Sequence, residues 1–257
     1  MKSFFLKLHW FFCQIGFDFL KLIKSIRGFT KYISDYIKYK RNNTSIISFK
    51  PCLSDYYEES GDIKSEYFWQ DLYIAQMIFK NTPKRHIDIG SRIDGFVAHV
   101  ASYRSIDVID IRPIQSQIPN VNFYQMDVMN DNFKIHISCD SLSCLHTIEH
   151  FGLGRYGDQI NNNGYELGLK NMTKLLTPGG KFYLSTPVGV EKVEFNANWI
   201  FNPIKIVEIV KKQGLYLSEF YIIKNGNEFL KIEIHNIEKI SNETYNLGIF
   251  IFIKNES

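Results

Sequence analysis

The stretch RHIDIGSRIDGFVAHVASYRSIDVIDIRP, residues 85–113, contains two short apolar segments on either side of a segment with helical periodicity. RHIDIGS (residues 85–91) and SIDVIDIRP (residues 105–113) are rich in β-branched residues, and we interpret both as buried strands. IDGFVAHVASY (residues 93–103) has the periodicity of a helix. A strand, a helix and a second strand in this order predict a βαβ unit, in which the two strands run parallel.

The same alternation continues on both sides of this unit. Upstream, YFWQDLYIAQMIFKN (residues 67–81) predicts a helix that ends before Pro83. Downstream, the predicted strands are 121–128, 140–147, 181–189, 215–224 and 247–254, and the predicted helices are 164–176 and 204–214. This order predicts an α/β fold with a mostly parallel, twisted sheet and helices on both faces.

We interpret residues 1–45 as a basic, amphipathic helical extension and residues 46–257 as one Rossmann-like domain. In the extension, apolar residues recur at three- and four-residue intervals, but charged residues interrupt the run before it could span a bilayer. No signal-peptide cleavage site follows. Three interpretations stay open: an in-plane helix on an anionic membrane surface, a docking helix for a partner, or a helix that packs on its own domain.

The charge is unevenly distributed along the chain. Up to Arg41 there are nine Lys and Arg residues against Asp18 and Asp35, whereas the whole chain has a net charge of +3. The rest is therefore mildly acidic, which argues against a nucleic-acid-binding core. Four cysteines without a C-x-x-C pair favour a reducing, cytoplasmic compartment, at the inner face of the membrane if the extension binds there. Nothing in the sequence indicates an oligomeric state.

Polar residues follow the first three predicted strands, at the edge where ligands of such sheets bind. Gly90 ends the first strand, where a glycine lets a ligand approach the backbone, and Asp88 lies in the same turn. Asp110 ends the second strand, where an acid can accept both hydroxyls of a ribose. Asp127 ends the third, where a carboxylate can accept from an adenine amino group. Each acid alone could simply start a turn, but three in register with successive strands predict a cofactor site.

These segments resemble the consecutive motifs of class I S-adenosylmethionine-dependent methyltransferases. The motifs are HIDIGSRIDGF, VIDIRP, the Asp of YQMDV, SCLHTIEHFG and LLTPGGKFYLSTP. Over residues 67–203 the chain is also similar to a bacterial family of unknown function with that fold, often encoded among surface-polysaccharide genes. The resemblance implies a Rossmann-like class I methyltransferase fold, S-adenosylmethionine as the cofactor, and methyl transfer.

The glycine-rich turn departs from the superfamily pattern D-x-G-x-G-x-G. After Asp88 and Gly90 the next glycine is Gly95. A nicotinamide dinucleotide would need G-x-G-x-x-G so that the backbone can reach its pyrophosphate. S-adenosylmethionine has no phosphate and tolerates the turn as it stands, which favours the methyl donor.

The resemblance also implies site residues and an activity. The expected cofactor-binding residues are Asp88, Gly90, Ser91, Asp110, Ile111, Asp127, Val128, Leu145 and His146. We expect O-methylation of a small-molecule or carbohydrate acceptor, such as a surface polysaccharide. Two alternatives stay open: a non-catalytic methyltransferase-like scaffold or binding protein, and a metal-dependent hydrolase.

The hydrolase alternative rests on SCLHTIEHFGLGRYGD (residues 143–158), where His146, Glu149 and His150 form the pattern H-x-x-E-H of one class of zinc peptidases. That chemistry needs both histidines on one continuous helix, whereas His146 lies at the end of a predicted strand and glycines soon follow His150. We therefore predict no metal site and place the pattern in the loop that leaves the fourth strand.

In that loop, His150 and His146 are the candidates for a general base on an acceptor hydroxyl, and Glu149 could orient one of them. A purely structural role for Glu149 and His150 is equally open. The loop continues with glycines and mixed polar residues, which is typical of a binding loop. The candidate acceptor-binding residues in it are Arg155, Tyr156 and Asp158.

Overall fold

The computed structural model describes residues 2–41, 45–61 and 63–256. Its internal contacts divide the chain into two compact units, Met1–Asp62 and Ile63–Ser257. The domain boundary predicted from the sequence, after residue 45, lies inside the first of these units. The reason is that residues beyond 45 pack on a helix of the N-terminal unit.

The N-terminal unit contains two helices, α1 (Lys2–Gln14) and α2 (Phe19–Arg41), with a turn between them at Gly16, where φ is +87°. The apolar periodicity predicted one helix through this region, and the turn interrupts it. Gly28 of α2 is buried against Leu53, whose carbonyl oxygen would lie 1.7 Å from a Cβ at that position. This close approach joins the segment after residue 45 to α2. Within the described residues, no helix is long and apolar enough to cross a membrane.

The second unit is built around an eight-stranded sheet. The strands of the unit are β1 (His86–Ile89), β2 (Ile106–Asp110), β3 (Val121–Gln125), β4 (Cys139–Leu145), β5 (Leu176–Val188), β6 (Lys192–Glu194), β7 (Asn198–Ile200), β8 (Leu215–Lys224), β9 (Glu228–Ile232) and β10 (Asn246–Lys254). The order in the sheet is β3-β2-β1-β4-β5-β10-β8-β9, and β6 and β7 form a separate ribbon. The first five strands pair in parallel, whereas β10 runs antiparallel to both β5 and β8.

Helices cover both faces of the sheet. They are α3 (Glu66–Asn81), α4 (Ala98–Ala101), α5 (Gly164–Lys174), α6 (Pro203–Lys211) and α7 (Ile237–Ser241). One apolar core joins α3 and α4 to the sheet through residues such as Ile74 and Val100, and a second joins α5 and α6 through Leu169 and Ile206. The predicted α/β fold, with a mostly parallel sheet between two layers of helices, is confirmed.

The predicted helix at 93–103 differs from the observed one. Residues Ile93–Val97 form a π-helical turn, in which Gly95 has non-helical angles (φ −121°, ψ −110°), and only Ala98–Ala101 are α-helical. A Cβ on Gly95 would lie 2.6 Å from a carboxylate oxygen of Asp71 on α3, so the glycine permits this close approach. The edge strand β9 was not predicted from the sequence, because its side chains are mostly exposed and lack an apolar alternation.

Candidate active site

A cavity of about 500 Å³ opens beside the carboxyl ends of β1, β2 and β4. Its volume lies within the range of about 300–1,000 Å³ typical of small-molecule sites. Asp88 and Glu149 are fully buried and do not line it. The other predicted site residues all line it, namely Gly90, Ser91, Asp110, Ile111, Asp127, Val128, Leu145, His146, His150, Arg155, Tyr156 and Asp158.

Asp88 holds the turn after β1 in place. Its carboxylate accepts hydrogen bonds from the backbone N–H and the hydroxyl of Ser91 (3.0 and 2.7 Å) and from the hydroxyl of Ser143 on β4 (2.5 Å). Burial raises the pKa of Asp88 to about 7, against these three hydrogen bonds, which lower it. Gly90 follows with φ +71°, and a Cβ there would lie 2.4 Å from a methyl carbon of Thr147. Asp88 thus shapes the cavity wall without reaching the cavity itself.

Asp110 is paired with a residue that the sequence did not single out, Arg112. The guanidinium of Arg112 donates to both carboxylate oxygens (Nε to Oδ1 3.0 Å, Nη2 to Oδ2 2.6 Å), and its backbone N–H donates to Oδ1 (2.8 Å). The Asp110 side chain is 10% exposed. A ligand hydroxyl at Asp110 would therefore share the carboxylate with this guanidinium or displace it.

The remaining cavity wall is largely apolar. Ile89, Ile111, Val128 and Leu145 contribute aliphatic surface from four neighbouring strand ends. Asp127 lies among them, with Oδ1 accepting from the backbone N–H of Met129 (2.8 Å). Aliphatic walls with a few converging polar groups are what a flat heterocycle with polar edges requires.

His146 lies between two carboxylates. Its Nδ1 is 2.6 Å from Oε1 of Glu149, and its Nε2 is 3.0 Å from Oε1 of Glu66 at the start of α3. A carboxylate only accepts, so both ring nitrogens donate and the ring is an imidazolium. Burial alone would lower the pKa of His146, but the two glutamates outweigh it and raise the pKa to about 9. The ring also stacks on Tyr67 with 4.3 Å between centroids. In this arrangement His146 holds its proton at neutral pH.

One carboxylate oxygen of Glu149, Oε1, accepts the hydrogen bond from His146. The same Oε1 lies 3.8 Å from Nε2 of His150, and Oε2 accepts from the hydroxyl of Thr186 (3.3 Å). Burial would raise the pKa of Glu149, but His146 and then His150 lower it, so the group is ionised. Glu149 lies between two imidazoles, one of which is charged.

The H-x-x-E-H pattern does not form a metal-binding group in this arrangement. Across residues 2–41, 45–61 and 63–256, the one set of three His, Cys, Asp or Glu side chains close enough to share an ion is His9, Cys13 and Asp18 of the N-terminal unit. His146 and Glu149 instead bind each other, and Ile148–His150 form a single 3₁₀ turn, too short for a zinc-peptidase helix.

His150 has the opposite electrostatic character to His146. Its Nδ1 lies 2.7 Å from the carbonyl oxygen of Ala197, which can only accept, and 3.3 Å from Nη1 of Arg155, which can only donate. The shorter contact assigns the proton to Nδ1 and the lone pair to Nε2. Burial lowers the pKa of His150; Glu149 opposes this shift and Arg155 adds to it. His150 is therefore neutral at pH 7, with an unprotonated nitrogen on a residue that lines the cavity.

The loop after His150 brings Arg155 and Tyr156 to the cavity. Arg155 donates from Nη1 to the same Ala197 carbonyl (2.9 Å), and its guanidinium lies 5.2 Å from the centre of the Tyr156 ring. The guanidinium of Arg112 lies 4.6 Å from the same ring, and the edge-on ring of His150 is 5.3 Å away. Tyr156 thus connects the base candidate to both arginines.

Asp158 organises this loop from within. Its Oδ2 accepts from the backbone N–H groups of Gly152 and Gly154 (3.0 and 3.1 Å), and its Oδ1 accepts from that of Tyr156 (3.1 Å). Both oxygens are therefore already used by the backbone. The geometry favours a positioning role for Asp158, whereas its predicted role as a direct acceptor ligand stays a prediction.

The loop requires glycine at residue 152. Gly152 has φ +77°, and a Cβ there would lie 1.9 Å from the carbonyl oxygen of Asn161, whereas Gly157 has φ +84° with open space around it. We expect Gly157→Ala to lower the free energy of unfolding by about 1–2 kcal/mol, the cost of a left-handed alanine. Gly152→Ala adds a clash of about 1–3 kcal/mol. Urea unfolding followed by circular dichroism measures both, and equal losses would refute the steric argument.

Sequence reasoning missed the contribution of α3. Tyr67, Gln70 and Asp71 line the cavity, and Gln70 and Asp71 are buried although polar. The sequence did contain a signal of this role. Gln70 lies four residues before Ile74 and Asp71 four residues before Ala75, so both polar residues lie on the apolar stripe of the helix. Polar residues on a buried stripe indicate a lined cavity or an internal hydrogen bond. Here Gln70 donates to Asp71 (2.9 Å).

Comparison with known families gives an identification at the level of the family. The model of the family described as "Caenorhabditis protein of unknown function, DUF268" matches residues 103–246, more than half of the chain. The chain belongs to this family. The match is consistent with the predicted membership in a family of unknown function, whereas the bacterial family itself and its link to surface-polysaccharide genes stay predictions. No curated protein matches this DUF268 chain.

Solved structures similar to this DUF268 protein include methyltransferases. The 1,6-didemethyltoxoflavin-N1-methyltransferase of Burkholderia thailandensis, with its substrate and S-adenosylhomocysteine bound, is 13% identical with a TM-score of 0.52, over 88% of this chain and 87% of that chain. The N-methyltransferase NodS of Bradyrhizobium japonicum WM9, with S-adenosylhomocysteine, is 13% identical with a TM-score of 0.51, over 77% and 90%. The [4+2]-cyclase SpnF is 12% identical with a TM-score of 0.50, over 72% and 82%.

At such identities the likeness establishes the fold, which is the Rossmann-like fold of class I methyltransferases. The fold class predicted from the sequence is confirmed. SpnF, named as a cyclase, has a similar fold, so the fold does not by itself decide the reaction. The reaction of this DUF268 protein depends on the residues of its own site.

Proposed function

We propose that the protein is an S-adenosylmethionine-dependent methyltransferase that methylates a hydroxyl group of a small-molecule or carbohydrate acceptor. The observation that carries this proposal is the position of His150. A neutral imidazole with its proton on Nδ1 lines the same cavity as the strand-end acid Asp110. A base and a candidate nucleoside-binding acid in one cavity are what hydroxyl methylation needs.

The residues at the strand ends fit the cofactor. Asp110 would accept the ribose hydroxyls, and Asp127 would accept from the adenine amino group between the aliphatic side chains of Ile111 and Val128. Gly90 leaves the backbone open where the methionine part would pass, and Leu145 lines the cavity from the end of β4. When bound, S-adenosylmethionine supplies an electrophilic methyl group.

The chain's own residues would then align the acceptor and take its proton. Nε2 of His150 accepts the hydroxyl proton, and the nearby Glu149 carboxylate, 3.8 Å away, stabilises the imidazolium that forms. His146 is already charged, so it is a positioning residue that keeps Glu149 ionised and fixed. Methyl transfer is an in-line displacement, in which most of the rate gain comes from such alignment.

Arg155 and Tyr156 would contact the acceptor. Arg155 lines the cavity, and its Nη1 lies 3.3 Å from Nδ1 of His150. It forms no salt bridge within 4.0 Å to any acid in the described ranges 2–41, 45–61 and 63–256. Its free donors beside the base favour an acceptor with a carboxylate or phosphate near the reacting hydroxyl. Glycans with acidic sugars, in keeping with the polysaccharide link that the family resemblance implies, are the first acceptors to test.

Calorimetry with S-adenosylhomocysteine, followed by transfer of labelled methyl groups to neutral and acidic sugar acceptors, tests the proposal. We expect binding at micromolar concentrations, on the order of −8 kcal/mol, and labelled product with a hydroxyl-bearing acceptor. No binding would refute the cofactor assignment. Binding without transfer to any acceptor would favour the non-catalytic scaffold instead.

A further inference from the structure

The α2 helix of the N-terminal unit presents three different faces. Ser25, Gly28, Tyr32 and Tyr36 are buried or half-buried. This is the side on which Gly28 meets Leu53 and Tyr32 meets Phe49, with 5.7 Å between ring centroids. The internal packing of the unit therefore uses this side of the helix.

An exposed apolar stripe lies on another side of α2. It consists of Leu22, Ile26, Phe29, Ile33 and Ile37, which follow each other at three- and four-residue steps. Their exposed fractions are 43, 62, 46, 38 and 46%. The stripe is thus not the surface through which its own unit packs. On α1, Trp10 and Phe11 are also exposed, by 57 and 55%.

Basic residues occupy the remaining side of α2. Lys24, Arg27 and Lys38 are exposed there, and Lys40 and Arg41 lie in the last turn. Up to Arg41, nine Lys and Arg residues stand against two acids. The rest of the unit, up to Asp62, adds Lys50 against four acids, so the positive charge is concentrated on α1 and α2. An anionic surface complements both this charge and the apolar stripe, whereas a second copy of the two helices would complement the stripe alone.

We propose that α1 and α2 lie in the plane of an anionic lipid bilayer, with the aliphatic side chains of the Leu22–Ile37 stripe inserted among the acyl chains, and Trp10 and the basic residues at the level of the lipid headgroups. Aromatic residues and long basic side chains suit this boundary, because the rings sit at headgroup level and the basic heads reach the phosphates. The proposal is independent of the methyl transfer proposed above, since it involves no residue of the cavity.

Cosedimentation of the full chain with vesicles tests it. One set of vesicles is phosphatidylcholine alone, and the other is phosphatidylcholine mixed with phosphatidylglycerol. We expect binding to the anionic vesicles, weakened by added salt, and little to the neutral ones. Leu22→Glu/Ile26→Glu should reduce the bound fraction by about tenfold or more, because two charges would enter the acyl region.

The matched control is Leu230→Glu/Ile234→Glu, which places the same charges at two residues that are each 43% exposed in the other unit. This variant should bind like the wild type, and S-adenosylhomocysteine affinity should be the same for all three proteins. The proposal is overturned if anionic vesicles are not bound, or if both double variants lose binding equally. It is also overturned if Leu22→Glu/Ile26→Glu leaves vesicle binding unchanged but lowers the oligomeric mass measured by light scattering. That result would assign the apolar stripe to a contact with a second copy.

Discussion

Replacing Asp110 with alanine is expected to weaken the binding of S-adenosylhomocysteine by roughly 100-fold. Hydrogen bonds to a charged group contribute about 1.5–3 kcal/mol each, and the ribose would make two of them to this carboxylate. In the free protein Arg112 already donates to both oxygens of Asp110, at 3.0 and 2.6 Å. Part of the free energy of the ribose hydrogen bonds therefore only replaces the free energy of this pair. We therefore place the loss at the lower end, about 3 kcal/mol. Isothermal calorimetry measures it directly.

The chain offers a control in Glu194. Its carboxylate is also paired with a basic residue two residues away, Lys192, whose Nζ lies 2.7 Å from Oε1, but its side chain is 49% exposed and does not line the cavity. Glu194→Ala should change the affinity by less than about threefold, because an exposed pair outside the cavity contributes little. If both variants bind like the wild type, Asp110 does not hold the ribose and the cofactor assignment fails.

Much of the fold could be predicted from the sequence because its signals are local. The β-branched segments ending at Ile89 and Asp110 identify two parallel strands, and the alternation with helices predicts the class of sheet. The place of β10 between β5 and β8 carries no such signal, because strand order depends on pairing between residues far apart in sequence. The break in the first helix at Gly16 and the irregular turn at Gly95 were also missed, since one glycine does not reveal whether a helix bends or ends.

The candidate site was predictable in outline for the same reason. Strand-end residues such as Asp110 and Asp127 meet at one edge of any parallel sheet, so their positions followed from the predicted strands. The charge of His146 did not follow, because it depends on Glu66, which is 80 residues away in sequence. The tautomer of His150 likewise depends on the carbonyl of Ala197, 47 residues further on. The sequence named both histidines as base candidates, and only their distant partners distinguish them.

The second large effect is expected for His150→Asn. The asparagine amide can still donate to the carbonyl of Ala197, as Nδ1 of His150 does at 2.7 Å, but it has no basic nitrogen. We expect kcat with a hydroxyl acceptor to fall by about 10²- to 10⁴-fold, the usual contribution of a general base. S-adenosylhomocysteine affinity should change little, because the ribose and adenine contacts assigned to Asp110 and Asp127 are untouched. Methyl transfer from saturating labelled cofactor measures kcat.

The pH dependence separates catalysis by His150 from a structural role. The pKa of His150 is lowered by burial, so in the wild type kcat should be constant around neutral pH and fall only as the pH drops through a value below 6.5, where Nε2 takes up a proton. In His150→Asn this acidic limb should disappear along with most of the activity.

His146→Asn is the contrasting variant. Because the two glutamates raise the pKa of His146 from 6.5 to about 9, its imidazolium stabilises the folded state fully below pH 6.5, and this stabilisation is lost as the pH rises through about 9. Losing it should lower the free energy of unfolding but leave an acidic limb set by His150. If the wild-type kcat profile has no acidic limb, or if the acidic limb persists in His150→Asn, another group removes the proton.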